Sequence, residues 1–178
     1  MKQALLVIDI QNDYFRGSPM ELVGAEKAAE KAAEVIKKFR ERKLPVIFIQ
    51  HIAARPEAGF FLPDTEGAEI NKRVQPIEGE KIIVKHFPNS FIETGLKEYL
   101  DTMGITDLTI VGMMTHMCID ATTRAAKDLG YITTIAGDAC ATRDLVIDGT
   151  TVKAEEIQKS FLAALNYFYS TVKTSDEI

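Results

Sequence analysis

The sequence predicts an α/β fold: a three-layer α/β/α sandwich, Rossmann-like, around a mostly parallel central sheet. Two observations carry that prediction. Short, almost continuously apolar runs recur along the chain, a pattern that suits parallel strands buried on both faces. Longer segments of helical period lie between them, and strands alternating with helices make right-handed βαβ units. A chain of 178 residues with 46% hydrophobic content can build one sizeable core, so residues 1–178 are expected to form a single domain.

The first strand is expected at Ala4–Ile8, a β-branched and leucine-rich run. A crossover helix follows, because Ala28, Ala32, Val35, Ile36 and Phe39 fall at helical spacing while Glu34 and Lys38 pair at i,i+4 on the opposite side. Val46–Ile49 and Ile82–Val84 repeat the strand pattern. Between them, His51–Glu80 carries Pro56, Gly59, Pro63, Gly67, Pro76 and Gly79 and is longer than an ordinary connection. Loops of that length often serve as lids or assembly surfaces. Within it, Phe60, Phe61 and Leu62 are expected either to wall a pocket, to pack on a neighbouring subunit, or to be buried against their own sheet.

A second helix is expected over Glu93–Met103, with Leu96, Tyr99 and Leu100 as its apolar stripe and Gly104 as the breaker. Leu108–Val111 reads as the fourth strand, Met117–Leu129 as a third helix ending at Gly130, and Tyr131–Ile135 as the fifth strand. After the turn-prone Asp148-Gly149, a last helix over Thr151–Tyr169 places Val152, Ile157, Phe161, Leu165 and Phe168 near one face. The tail TVKTSDEI is expected to fray.

The net charge is −5, with 21 basic and 26 acidic residues interspersed. Such a distribution offers no cationic face for a phosphate backbone or an anionic lipid surface, which argues against nucleic-acid and membrane partners. The opening MKQALLVIDIQNDYF has an apolar run too short for a secretory h-region or a membrane span, so a cytoplasmic location is expected. Its two cysteines, Cys118 and Cys140, lie far apart, and a cytosolic chain of this size has no need of a staple.

Ligands of a parallel α/β sheet bind beyond the carboxyl ends of the strands, so reactive side chains are sought there. The first strand runs into Asp9, where a partly desolvated carboxylate can act as a general base or merely cap the next turn. The third runs into Lys85 beside His86 and Pro88, which alone reads as a solvated lysine. The fourth leads through Gly112 to Cys118 at a helix start, where a thiolate is stabilised and free N–H groups can hold an oxyanion, although a buried structural thiol is the commoner fate of a lone cysteine. Together the three form a base, an electrostatic activator and a nucleophile, a combination more specific than any member.

The segments DIQNDYF, VKHFPNSF and GMMTHMCIDATTRAAKDLGY resemble the three signature regions of the isochorismatase-like cysteine hydrolases, the superfamily of nicotinamidases, N-carbamoylsarcosine amidases and isochorismatases. The likeness covers nearly the whole chain, through GDACATRD at Gly137–Asp144. It implies an Asp9–Lys85–Cys118 triad, a six-stranded sheet in the order 3-2-1-4-5-6, a cis Met113–Met114 peptide, and an oxyanion hole from the N–H groups of Met114 and Cys118. That strand order sets Lys85 and Asp9 two strands apart, about 10 Å, a gap the lysine and its loop must close. It implies a homo-oligomer, dimer or larger, and hydrolysis of a small amide, ureide or carbamoyl substrate through a thioester, with Lys85 lowering the thiol pKa. An isochorismatase-type ether hydrolase and a non-catalytic ligand-binding domain are the alternatives.

Nicotinamidases of this family bind a metal through an Asp-x-His pair and further histidines after the second strand. Here the segment is IQHIAARPEAGFF, with His51 alone, so no metal is expected; nor is a cofactor, since neither G-x-G-x-x-G nor a phosphate loop occurs. Gln11, Phe60 and His116 are candidates for substrate binding, Asp120 for a structural hydrogen bond, and Cys140, flanked by alanines, for a structural thiol.

Overall fold

The computed structural model describes residues 2–178. The chain runs β1 (Gln3–Ile8), α1 (Ala25–Glu41), β2 (Val46–His51), β3 (Lys81–Lys85), α2 (Leu96–Thr102), β4 (Asp107–Met113), α3 (Asp120–Asp128) and β5 (Ile132–Ala141). A hairpin of β6 (Leu145–Ile147) and β7 (Thr150–Val152) follows, then α4 (Ala154–Phe168) and β8 (Thr171–Lys173). Six strands form one parallel sheet in the order β3-β2-β1-β4-β5-β8.

Side chains alternate across a strand, so each strand feeds two layers. Leu5, Val7, Phe48 and Val111 face α1, whose Ala28, Ala32, Val35, Ile36 and Phe39 complete that core. Leu6, Ile8, Ile47, Ile49 and Ile110 face the other way, onto Leu96 and Leu100 of α2, Ala126 of α3 and Leu165 of α4. Burying each such large aliphatic side chain contributes about 1.5–3 kcal/mol. No described helix is long and apolar enough to cross a membrane.

One glycine fixes how closely the two central strands approach. Gly112 pairs with Ile8 in the β1–β4 register, and a Cβ there would collide with the Ile8 carbonyl oxygen. Its φ of +135° is also a conformation that L side chains rarely adopt. The close approach of β1 and β4 therefore requires glycine at this position.

Four expectations are corrected. The tail does not fray: Thr171–Lys173 is the sixth strand, held beyond its end by Ser175, whose N–H and hydroxyl both donate to Asp138 at 2.7 and 2.8 Å. Residues 151–152, expected in the last helix, belong to the hairpin instead, and the helix starts at Ala154 after a Lys153 cap. The fifth strand extends to Ala141, through GDACA, beyond Ile135. Finally, β3 is an edge strand with Ile82 and Val84 nearly half exposed, so only Ile83 and Lys85 turn inward.

Candidate active site

Immediately after β1, Asp9 adopts left-handed backbone, with φ +51°. Asp tolerates that region better than most residues, yet holding it there costs about 1–3 kcal/mol. The Asp9 N–H donates to the Ile49 carbonyl of β2 at 3.0 Å, anchoring the kink. The residue is fully buried.

Lys85 closes β3 and pairs in register with His51, which closes β2. To reach Asp9 from two strands away its side chain crosses the end of β2, and its Nζ stops 2.7 Å from Asp9 Oδ2 with both side chains shut off from solvent. The length of the lysine thus closes the interval of about 10 Å set by strand spacing. On the way Nζ comes within 2.9 Å of His51 Nδ1, donates to the Phe87 carbonyl at 3.1 Å, and donates to Cys118 Sγ at 3.3 Å. Four acceptors surround three N–H groups.

Cys118 lies in a π-helical turn, Thr115–Ile119, that leads into α3, rather than at the start of an α-helix. The Met114 carbonyl accepts the N–H groups of Met117 and Ile119, at 3.1 and 3.2 Å, which bracket Cys118. The Met113–Met114 peptide just before the turn is cis.

Burial pushes the Cys118 thiol well above its ordinary range, and the neighbouring Asp9 charge pushes it further, while Lys85 pulls it down and is outweighed. Lys85 thus acts on the sulfur in the direction expected of it, and burial together with the Asp9 charge opposes it. Burial alone would lower Lys85, but Asp9 and Cys118 overcome it and hold the ammonium above its ordinary value. Burial, then the Lys85 charge, pulls His51 down to about 4, so its ring is neutral near pH 7. Facing an ammonium, Nδ1 can only accept, which leaves the ring proton on Nε2.

Asp9, His51 and Cys118 bring a carboxylate oxygen, a ring nitrogen and a sulfur within 4.8 Å of one another, a spacing compatible with a metal ion. The position such an ion would take is filled by the Lys85 ammonium, 2.7, 2.9 and 3.3 Å from those same three side chains. A divalent cation does not fit against that charge.

The remaining candidates sort differently. Gln11 is fully buried, its amide donating to the His51 and Ala68 carbonyls and accepting the His51 N–H, all at 2.8 Å. With its donors and acceptor so engaged, it fastens the long loop to β1 instead of binding substrate. Phe61 is buried, edge-on to Tyr14 at 4.6 Å, with its N–H on Asp13 Oδ2 at 2.6 Å, so it packs on its own core. Phe60 is half-buried and walls a cleft of about 520 Å³ together with His51, Arg55, Phe87 and Pro88. His116 is held by Thr142 Oγ1 at 2.6 Å and lies against Phe161, on the α4 side. Asp120 pairs with Arg124 at 3.0 Å, the structural role anticipated. Cys140 is buried, its Sγ–H on the Ala136 carbonyl at 3.4 Å, and burial pushes it up to about 12.

Two residues of the site escaped sequence reasoning. His51 could have been found only from the β2–β3 register. Tyr14 is buried next to the site; burial first, then the Cys118 and Asp9 charges, raise its hydroxyl well above the ordinary phenol value. Its signal was its place in DIQNDYF.

Comparison with known proteins places the chain in a family. The family model for the isochorismatase domain matches residues 3–176. The chain is 50% identical over 176 residues to the uncharacterised isochorismatase family protein YddQ of Bacillus subtilis, covering 99% of this chain and 98% of that one. The crystal structure of an isochorismatase from Pseudomonas putida superposes with a TM-score of 0.93 at 32% identity, over 99% of this chain and 89% of the other. That of an N-carbamoylsarcosine amidase from Thermoplasma acidophilum gives 0.84 at 26% identity, over 100% and 99%. With the parallel sheet and the three converging strand ends, these matches make the chain a member of the isochorismatase family of hydrolases.

Proposed function

We propose that the chain hydrolyses a carbon–nitrogen bond in a small amide, ureide or carbamoyl compound through a thioester on Cys118. The observation that carries the reading is the buried Lys85 ammonium, held between Asp9 Oδ2 at 2.7 Å and Cys118 Sγ at 3.3 Å. Isochorismatase-family hydrolases include a nicotinamidase, a streptothricin hydrolase and a ureidoacrylate amidohydrolase, whose names support amide or ureide chemistry.

In this reading Asp9 takes the Sγ–H proton as the sulfur attacks the carbonyl carbon. The oxyanion is received by the N–H groups of Met114 and Cys118, the latter bracketed by two N–H groups already bonded to the Met114 carbonyl. As the tetrahedral species collapses, protonated Asp9 gives its proton to the departing nitrogen. Water, deprotonated by Asp9, then attacks the thioester; the acid leaves and the proton returns to sulfur. Lys85 stays an ammonium throughout and offsets the charge that passes between Asp9 and Cys118.

The test is ammonia release from a panel of small amides and ureides. The wild-type chain is expected to release it, and Cys118→Ala and Cys118→Ser to lose it at unchanged fold by circular dichroism. Full activity in either variant removes Cys118 as nucleophile, and consumption of isochorismate without ammonia points to the ether-hydrolase alternative.

A further inference from the structure

The cleft beside Lys85 differs in chemistry from the triad it adjoins. Its wall is mostly apolar, from Ala53, Ala58, Phe60, Phe87 and Pro88, and its volume of about 520 Å³ suits a small organic molecule. Its polar members are His51, Arg55 and His86, and no Asp or Glu lines it.

The protonation of these groups follows from their partners. His51, which lines the cleft, accepts at Nδ1 from Lys85, so its other ring nitrogen, Nε2, is an N–H donor. Arg55, on the long loop, is a permanent cation with five N–H donors and has no carboxylate within ion-pair distance among the described residues. His86 donates its Nδ1–H to the Ile52 carbonyl at 2.8 Å, which fixes its ring at the rim. A concave wall carrying one sign of charge over an apolar floor raises the local concentration of the opposite charge.

We propose that this cleft receives a carboxylate carried by the substrate, with Arg55 as the charged partner and His51 Nε2–H as the second donor. The substrate class becomes an amide or ureide of a compact, partly apolar acid, its carbonyl at Cys118 and its carboxylate in the cleft. A guanidinium grips a carboxylate through two parallel hydrogen bonds, which also orients the scissile end. The inference rests on the reading of Asp9, Lys85 and Cys118 as a nucleophilic site, but it concerns binding and can be tested without turnover.

Calorimetric titration of the Cys118→Ala variant compares matched pairs of three to six carbons that differ only at the far end, such as succinamate against succinamide. The acid of the best pair is expected to bind at least tenfold more tightly, and the margin to shrink as salt is raised. Arg55→Gln is expected to bring the ratio to within twofold, and Arg55→Lys to keep part of it. Equal affinities, tighter binding of the neutral or an amino-bearing analogue, or no saturable binding by any acid of the series overturns the proposal. An acid preference in a wild-type chain that releases no ammonia from any pair sinks the catalytic reading and leaves this one standing.

Discussion

Lys85 Nζ stands 2.9 Å from Nδ1 of His51, its own register partner on the neighbouring strand. The contact is a consequence of topology. A lysine on β3 that must reach a carboxylate after β1 has to pass the end of β2, and the residue there becomes part of the site. A neutral imidazole suits that position because it accepts from the ammonium without adding charge.

His51 therefore makes stability depend on pH in a defined window. Its value is lowered from 6.5 to about 4 in the folded chain. Between those limits the unfolded chain holds a proton that the folded chain does not, so stability rises with pH there and is lost as pH falls toward 4. Urea midpoints measured from pH 7 to 4 are expected to fall, and to fall less steeply in His51→Asn, which keeps an acceptor but does not titrate. Equal slopes in the two proteins would contradict the assignment.

The Asp9–Lys85 pair is fully buried, so breaking it by removing one partner strands a charge. Lys85→Met is expected to destabilise the fold by about 3–5 kcal/mol. Adding Asp9→Asn should recover much of that loss, giving a favourable coupling in a double-mutant cycle, although neither protein should turn over substrate. Additive losses would show that the two side chains do not act on each other.

The thiols give a third test. Burial comes first among the causes that raise both Cys118 and Cys140. Intact-mass analysis after brief iodoacetamide treatment at pH 7 should find the folded chain largely unmodified, and two adducts once urea is added. Rapid, selective labelling of Cys118 in the folded chain would mean that the thiolate is preformed.

Much of this site was legible in the sequence. Asp9, Lys85 and Cys118 each stand where an apolar strand run ends or turns into a helix, so strand counting alone brings them to one edge. His51 was not legible as their neighbour, because its role arises from pairing with a strand thirty residues further on. The Gln11 amide read as a substrate ligand because sequence does not reveal that three backbone groups already occupy it. The sixth strand, three residues in an otherwise polar tail, is too short for periodicity to register.

Gly112 supplies a fourth prediction. Gly112→Ala forces a Cβ onto the Ile8 carbonyl oxygen at φ +135° and is expected to cost about 3 kcal/mol or more. Gly149→Ala, at φ +73° with open space around it, should cost about 1 kcal/mol. Chemical denaturation of both variants separates collision from conformational strain, and similar midpoints would remove the close strand approach as the reason for Gly112.

The Gln11 amide, together with the bridge between Gln11 and Ile70, clasps the far half of the long loop to the strand that carries Asp9. Between that clasp and the end of β2, the stretch from Ala54 to Pro63 bears Arg55 and Phe60 on the cleft and is pinned by Phe61, buried edge-on to Tyr14. In the proposed reading His51 belongs to both the Lys85 cluster and the cleft, while Arg55 and Phe60 belong to the cleft alone. Substitutions at Arg55 and Phe60 would leave Asp9, Lys85 and Cys118 in place, and such independence is how one fold can serve many unrelated small molecules.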